Sequence, residues 1–132
     1  MKVIADTNIL IRAVVRDDKK QAQAAAKLLR EAEIIAVSLP CLCEFVWVLR
    51  RVYGFSQKDI GTALEALLDV SNVEVNRAAV EAGLAVPPDG GDFAAGLLAF
   101  EGRWLGGETF VSFDKAAVSL LTARGTQARL LD

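Results

Sequence analysis

The chain has 132 residues, 53% of them hydrophobic and 24% charged, with a formal net charge of −2 and no histidine. Such a length and composition describe one folded domain, residues 1–132, and exclude a disordered chain. The slightly acidic balance excludes a protein that coats nucleic acid through a basic surface. Without histidine there is no imidazole triad, general base or metal ligand, so any chemistry must come from carboxylates, hydroxyls, amines or thiols.

In chain order, MKVIADTN begins as a short apolar strand stopped by Asp6, Thr7 and Asn8, and ILIRAVV continues with helical spacing. Asp17 or Asp18 caps KKQAQAAAKLLREAE, a run of strong helix formers. The β-branched stretch IIAVS, residues 34–38, predicts a second strand. Pro40 stands near the start of CLCEFVWVLRRVYG, where a helix tolerates proline, and Gly54 ends that helix. Ser56 and Asp59 resemble a capping box ahead of IGTALEALLDV. VEVN, residues 73–76, predicts a third strand and RAAVEAGLAV a further helix. After a Pro-Pro-Asp-Gly-Gly loop, a helix runs from Asp92 to about Leu105. TFVSFD, residues 109–114, is the fourth strand, KAAVSLLTARG a helix and ARLL a last strand.

Strands alternating with helices, and apolar throughout, predict a parallel sheet covered on both faces: a three-layer α/β domain. Ligands of such sheets bind outside the carboxyl ends of the strands. The longest apolar runs, such as residues 45–49, are far too short to cross a bilayer, and no charged-then-apolar leader precedes the first strand. A cytoplasmic protein is expected. Cys41 and Cys43, two residues apart, suit a disulfide poorly and are expected as reduced thiols.

Four acids fall near strand exits: Asp6, Glu44, Asp92 and Asp114. Unpaired carboxylates brought together repel one another, and a divalent cation removes that cost. Hard Mg²⁺ or Mn²⁺ takes oxygen ligands and acts on water and on a phosphodiester. Each acid also has a simpler role. Asp6 and Asp114 suit helix caps as well as ligands, and Asp92 suits an ordinary N-cap better than a ligand. Glu44, among Cys43, Phe45, Val46 and Trp47, needs a partner if it is buried.

The ordered set VIADTNILIR, LCEFVWVL, GGDFAAGLLA and FVSFDKAA resembles a PIN domain, and specifically the toxin ribonucleases of the VapC type. That resemblance implies metal-dependent RNA cleavage, a three-layer αβα fold on a five-stranded parallel sheet, a homodimer, and inhibition by a VapB-like antitoxin. Asp6, Glu44 and Asp114 match the family's acidic positions, and Asn8 and Ser112 its flanking polar ones. In many relatives the third block carries D-F-A-D; here Asp92 matches the first aspartate and Ala95 replaces the second, the usual metal-site acid. Metal binding and activity are therefore expected to be weakened while the fold survives, since alanine is an excellent helix residue. The change reads as a deliberate inactivation or as natural loss, and the intact remaining acids favour the former.

Arg12, Arg16, Lys19 and Lys20, with Arg50 and Arg51, are candidates to hold flanking phosphates, or are solvated helix-end charges. Any part of the face containing Phe45, Val46, Trp47 and Leu49 left exposed suits an antitoxin helix. The rival reading is a PIN-like module that binds RNA or protein without cutting. A phosphatase of the haloacid dehalogenase type fits poorly, because Asn8 stands where its second aspartate belongs. A receiver domain lacks its paired acids near the first strand.

Overall fold

Polar caps decide where most helices of this chain begin. Asp6, Asp18, Ser38, Ser56 and Asp114 each hold an extended backbone, and each accepts a hydrogen bond from an early N–H of the helix that follows. The computed structural model describes residues 1–84 and 93–131, in which the chain forms two compact units, Met1–Asn76 and Arg77–Asp132.

The first unit runs β1 (Lys2–Ile4), α1 (Thr7–Val15), α2 (Lys19–Glu31), β2 (Ile34–Ala36), α3 (Leu39–Arg51), α4 (Gln57–Leu68) and β3 (Val73–Glu74). Its strands form a parallel sheet in the order β1-β2-β3, with Val3 opposite Ile35 and Ile35 opposite Val73. Ile35, in the middle strand, is fully buried, as are Leu10, Leu42, Phe45, Leu49 and Leu64 from the helices. Each such side chain contributes roughly 1.5–3 kcal/mol by leaving water. The Asn72 amide nitrogen donates to the carbonyls of Leu29 (2.8 Å) and Ala32 (2.7 Å), satisfying the end of α2 from the segment just before β3.

The second unit runs α5 (Arg77–Leu84), α6 (Phe93–Trp104), β4 (Phe110–Ser112), α7 (Lys115–Ala123) and β5 (Ala128–Leu130). Here β4 and β5 pair in parallel, with Val111 opposite Arg129. Ala95, Ala117 and Leu121 form its buried cluster, with Ala99, Phe110 and Ala128 packed against them. Helices α5 and α6 cross closely because Gly83 and Gly96 carry no side chain: a Cβ on Gly96 would stand 2.7 Å from the Ala82 carbonyl oxygen.

The α/β class and the alternation of strands and helices agree with expectation. The single five-stranded sheet does not: among the described residues the strands divide into a three-stranded and a two-stranded sheet. The strands are shorter than the sequence predicts, because capping competes with strand extension. Ser38, expected in β2, instead caps α3 by accepting the Cys41 N–H at 3.3 Å, and Asp114, expected in β4, caps α7. Both cysteines are free thiols. Among the described residues no helix is long and apolar enough to cross a membrane.

Candidate acidic site

Asp6 sits between β1 and α1 in extended backbone, φ −78° and ψ 156°. Its Oδ1 accepts the Thr7 N–H at 2.7 Å. The side chain is exposed, and Oδ2 has no hydrogen bond among the described residues. The cap and the candidate ligand are thus the same residue, using one oxygen for the first role and keeping the other for the second. Asn8 is exposed in the first turn of α1. Between them Thr7 is only 5% exposed, and its hydroxyl donates to Cys41 Sγ at 3.6 Å.

Glu44 lies in α3, one turn beyond Cys41. The helix buries Cys41, Leu42, Phe45, Val46 and Leu49 and turns Glu44, Trp47 and Arg51 outward, as spacings of three and four require. The apolar neighbours of Glu44 in sequence therefore do not bury it. Its carboxylate is exposed and makes no hydrogen bond or ion pair among the described residues. Of the face expected to be core, Phe45, Val46 and Leu49 are buried, whereas Trp47 is 59% exposed.

The Thr7–Cys41 contact joins the junction carrying Asp6 to the helix carrying Glu44. Burial pushes the Cys41 thiol above the ordinary value; the Thr7 hydrogen bond opposes this, and the charges of Asp6 and Glu44 both add to it. Two carboxylates from different elements thus act on one sulfur.

In the second unit, Asp114 Oδ1 accepts the Ala117 N–H at 3.2 Å, and Ser112 Oγ accepts the Asp114 N–H at 2.9 Å. Asp114 is exposed, and Ser112 is left with its hydroxyl proton to donate. Ala95 is only 3% exposed and packs with Ala117 and Leu121. Ala117 stands in the first turn of α7, the turn that Asp114 caps, so Ala95 faces that turn from α6. Asp92 and the loop at 87–91 lie outside the described residues.

Among the basic candidates, Arg12 is engaged within the protein. It pairs with Asp17, donates to Gln21 Oε1 at 2.7 Å and lies 3.4 Å from the Tyr53 hydroxyl, which donates to Asp17 at 3.1 Å. Asp17 sits below its usual range: desolvation raises it, but the hydrogen bonds from Arg12 and Tyr53 and the Arg12 charge outweigh that. The same contacts, led by the Asp17 hydrogen bond, raise Arg12. Arg16, Lys19, Lys20 and Arg51 are exposed.

Sequence reasoning missed Thr7 and Cys41. The available signal was positional: Thr7 directly follows Asp6, and Cys41 precedes Glu44 by one helical turn.

A family model for the PIN domain matches residues 3–99. The chain belongs to the PIN-domain family. The match takes in Asp6, Asn8, Glu44, Asp92 and Ala95 and ends before Ser112 and Asp114. No curated protein matches the chain. PIN domains are generally metal-dependent nucleases that typically use Mg²⁺ or Mn²⁺. Among the described residues no three acids or thiols form a metal-binding group. By donor type alone, exposed carboxylate oxygens suit a hard cation, as at Asp6 and Glu44 in the first unit and, separately, at Asp114 in the second.

Proposed function

We propose that this PIN domain is a VapC-type toxin endoribonuclease that hydrolyses RNA phosphodiester bonds with Mg²⁺ or Mn²⁺. It acts in the cytoplasm as a homodimer, neutralised by a VapB-like antitoxin, and its activity is impaired because Ala95 replaces an acid. The reading takes residues 1–132 as one PIN domain. What supports it is membership of the PIN family, together with the Thr7–Cys41 contact that joins the Asp6 junction to the helix carrying Glu44.

Asp6, Glu44 and Asp114 are the residues that would hold the cation, with Asp92 as a weaker contributor. When bound, the ion lowers the pKa of a water and stabilises charge building on the phosphodiester. The Thr7 N–H orients Asp6 by occupying Oδ1, which turns Oδ2 to the ligand role. Ser112 fixes the backbone entering Asp114 by accepting its N–H, and exposed Asn8 would offer its amide beside Asp6. The exposed cations Arg16, Lys19, Lys20 and Arg51 remain for phosphates, since Arg12 is already paired.

The burial of Ala95 among alanine and leucine favours a second reading, a PIN domain that binds RNA or protein without cutting. A cleavage assay separates the two. Purified chain and its Ala95→Asp variant are incubated with several RNA classes in Mg²⁺ or Mn²⁺, with a chelator control. Metal-dependent cutting by Ala95→Asp alone supports the impaired ribonuclease. Equal cutting by both would show that Ala95 is not a lost ligand, and no cutting by either would favour the binding module.

A further inference from the structure

Thr7 is the one buried polar residue among the described residues, and it directly follows Asp6. Its hydroxyl donates to Cys41 Sγ at 3.6 Å, across 34 residues of sequence. Sulfur is a weak acceptor, so this bond adds little to stability. Valine would fill the same volume with no polar group to satisfy, and a fold that needed only packing here would have no use for the hydroxyl.

The contact has a geometric consequence. The Thr7 N–H holds Asp6 Oδ1 at 2.7 Å, so the Asp6 carboxylate is oriented by the same residue whose side chain reaches α3. On the other side, the Cys41 N–H is held by the Ser38 cap at 3.3 Å, which locks the first turn of α3. Glu44 follows three residues later, one turn along that helix. One O–H···S contact therefore ties the junction carrying Asp6 to the helix carrying Glu44.

We propose that Thr7 and Cys41 are positioning residues that hold the Asp6 and Glu44 carboxylates at one fixed spacing for a divalent cation. The inference rests on the metal-dependent reading above and extends it to two residues that act only through the acids. Removing a group that orients a metal ligand typically weakens metal affinity by about 10- to 100-fold. Thr7 and Cys41 bond each other and neither carboxylate directly, so the loss is expected at or below the lower end of that range, about tenfold at most.

The test measures Mn²⁺ affinity by electron paramagnetic resonance on the full chain, with no RNA present. Thr7→Val and Cys41→Ala are each expected to weaken binding measurably, by about tenfold at most, and the double variant no further than either single one. Thr7→Ser and Cys41→Ser keep a donor and an acceptor and are expected to retain parental affinity. Circular dichroism checks that each variant is folded, and Cys41→Ala with Cys41→Ser carries the test by itself if Thr7→Val does not fold. Unchanged affinity in the disrupting variants overturns the inference and leaves the nuclease reading standing. Additive losses in the double variant also overturn it, because the two residues would then act separately. If the parent chain binds no Mn²⁺, the metal-dependent reading falls and this inference with it, a failure visible from the parent alone.

Discussion

Replacing Ala95 with aspartate sets the chemistry of the site against the packing of the second unit. Ala95 is 3% exposed, against Ala117 and Leu121 and near the helix start that Asp114 caps. Without a cation, an ionised carboxylate there loses water and faces the Asp114 charge, and both effects raise its pKa, by about 2–3 units for such a site. The folded-state pKa then lies above the unfolded value of about 3.9. Below that value the variant carries no ionisation penalty; the penalty grows as pH rises and levels off above the folded-state pKa. It should reach about 3–4 kcal/mol at pH 8 and about 1.5 kcal/mol at pH 5. Urea denaturation followed by circular dichroism, for parent and Ala95→Asp at both pH values in chelator, measures this directly. Added Mn²⁺ is expected to restore most of the loss at pH 8, because a cation stabilises the ionised acid. An identical stability difference at pH 5 and pH 8 would refute the reasoning, since the new carboxylate would then lie in solvent.

Gly96→Ala is expected to cost about 2 kcal/mol in urea denaturation, because overpacking outweighs the gain in helix propensity. Its new Cβ would meet backbone, the Ala82 carbonyl oxygen at 2.7 Å and Gly83 Cα at 2.8 Å. Gly102→Ala, also in α6 but with nothing within 4 Å, should instead stabilise by up to about 1 kcal/mol. In native protein at pH 8, a thiol reagent should label half-exposed Cys43 well before buried Cys41, whose thiol is pushed up by burial. The stability held by the neutral Cys41 thiol is present below its unfolded pKa and is lost as pH rises through the higher folded value, a loss that Cys41→Ala should remove from an alkaline denaturation series. Asp17 shifts the other way: its depressed pKa means that the tie to Arg12 and Tyr53 persists above the unfolded carboxyl value and loosens as pH falls through the folded one. The Tyr53 ring resonances should follow that acid transition, and Asp17→Asn should abolish it.

The sequence by itself determined the features that depend on neighbours within a few residues. The alanine-rich α2, the caps at Asp6, Asp18, Ser56 and Asp114, and the α/β alternation all follow from propensities and from hydrogen bonds that close within one turn. The β-branched residues before Ser38 predict strand there, but its hydroxyl sits three residues before the Cys41 N–H that it accepts, and the cap prevails. Tertiary structure alone decided the rest, because those features depend on groups far apart in the chain. The apolar sequence neighbours of Glu44 leave open whether it is buried, and the direction in which α3 packs its other face leaves it in solvent. The Thr7–Cys41 contact joins residues 34 apart, and no local pattern distinguishes that hydroxyl from an ordinary turn residue. The same holds for the pairing of strands only two or three residues long and for Ala95, whose packing against Ala117 and Leu121 is set by how α6 and α7 meet.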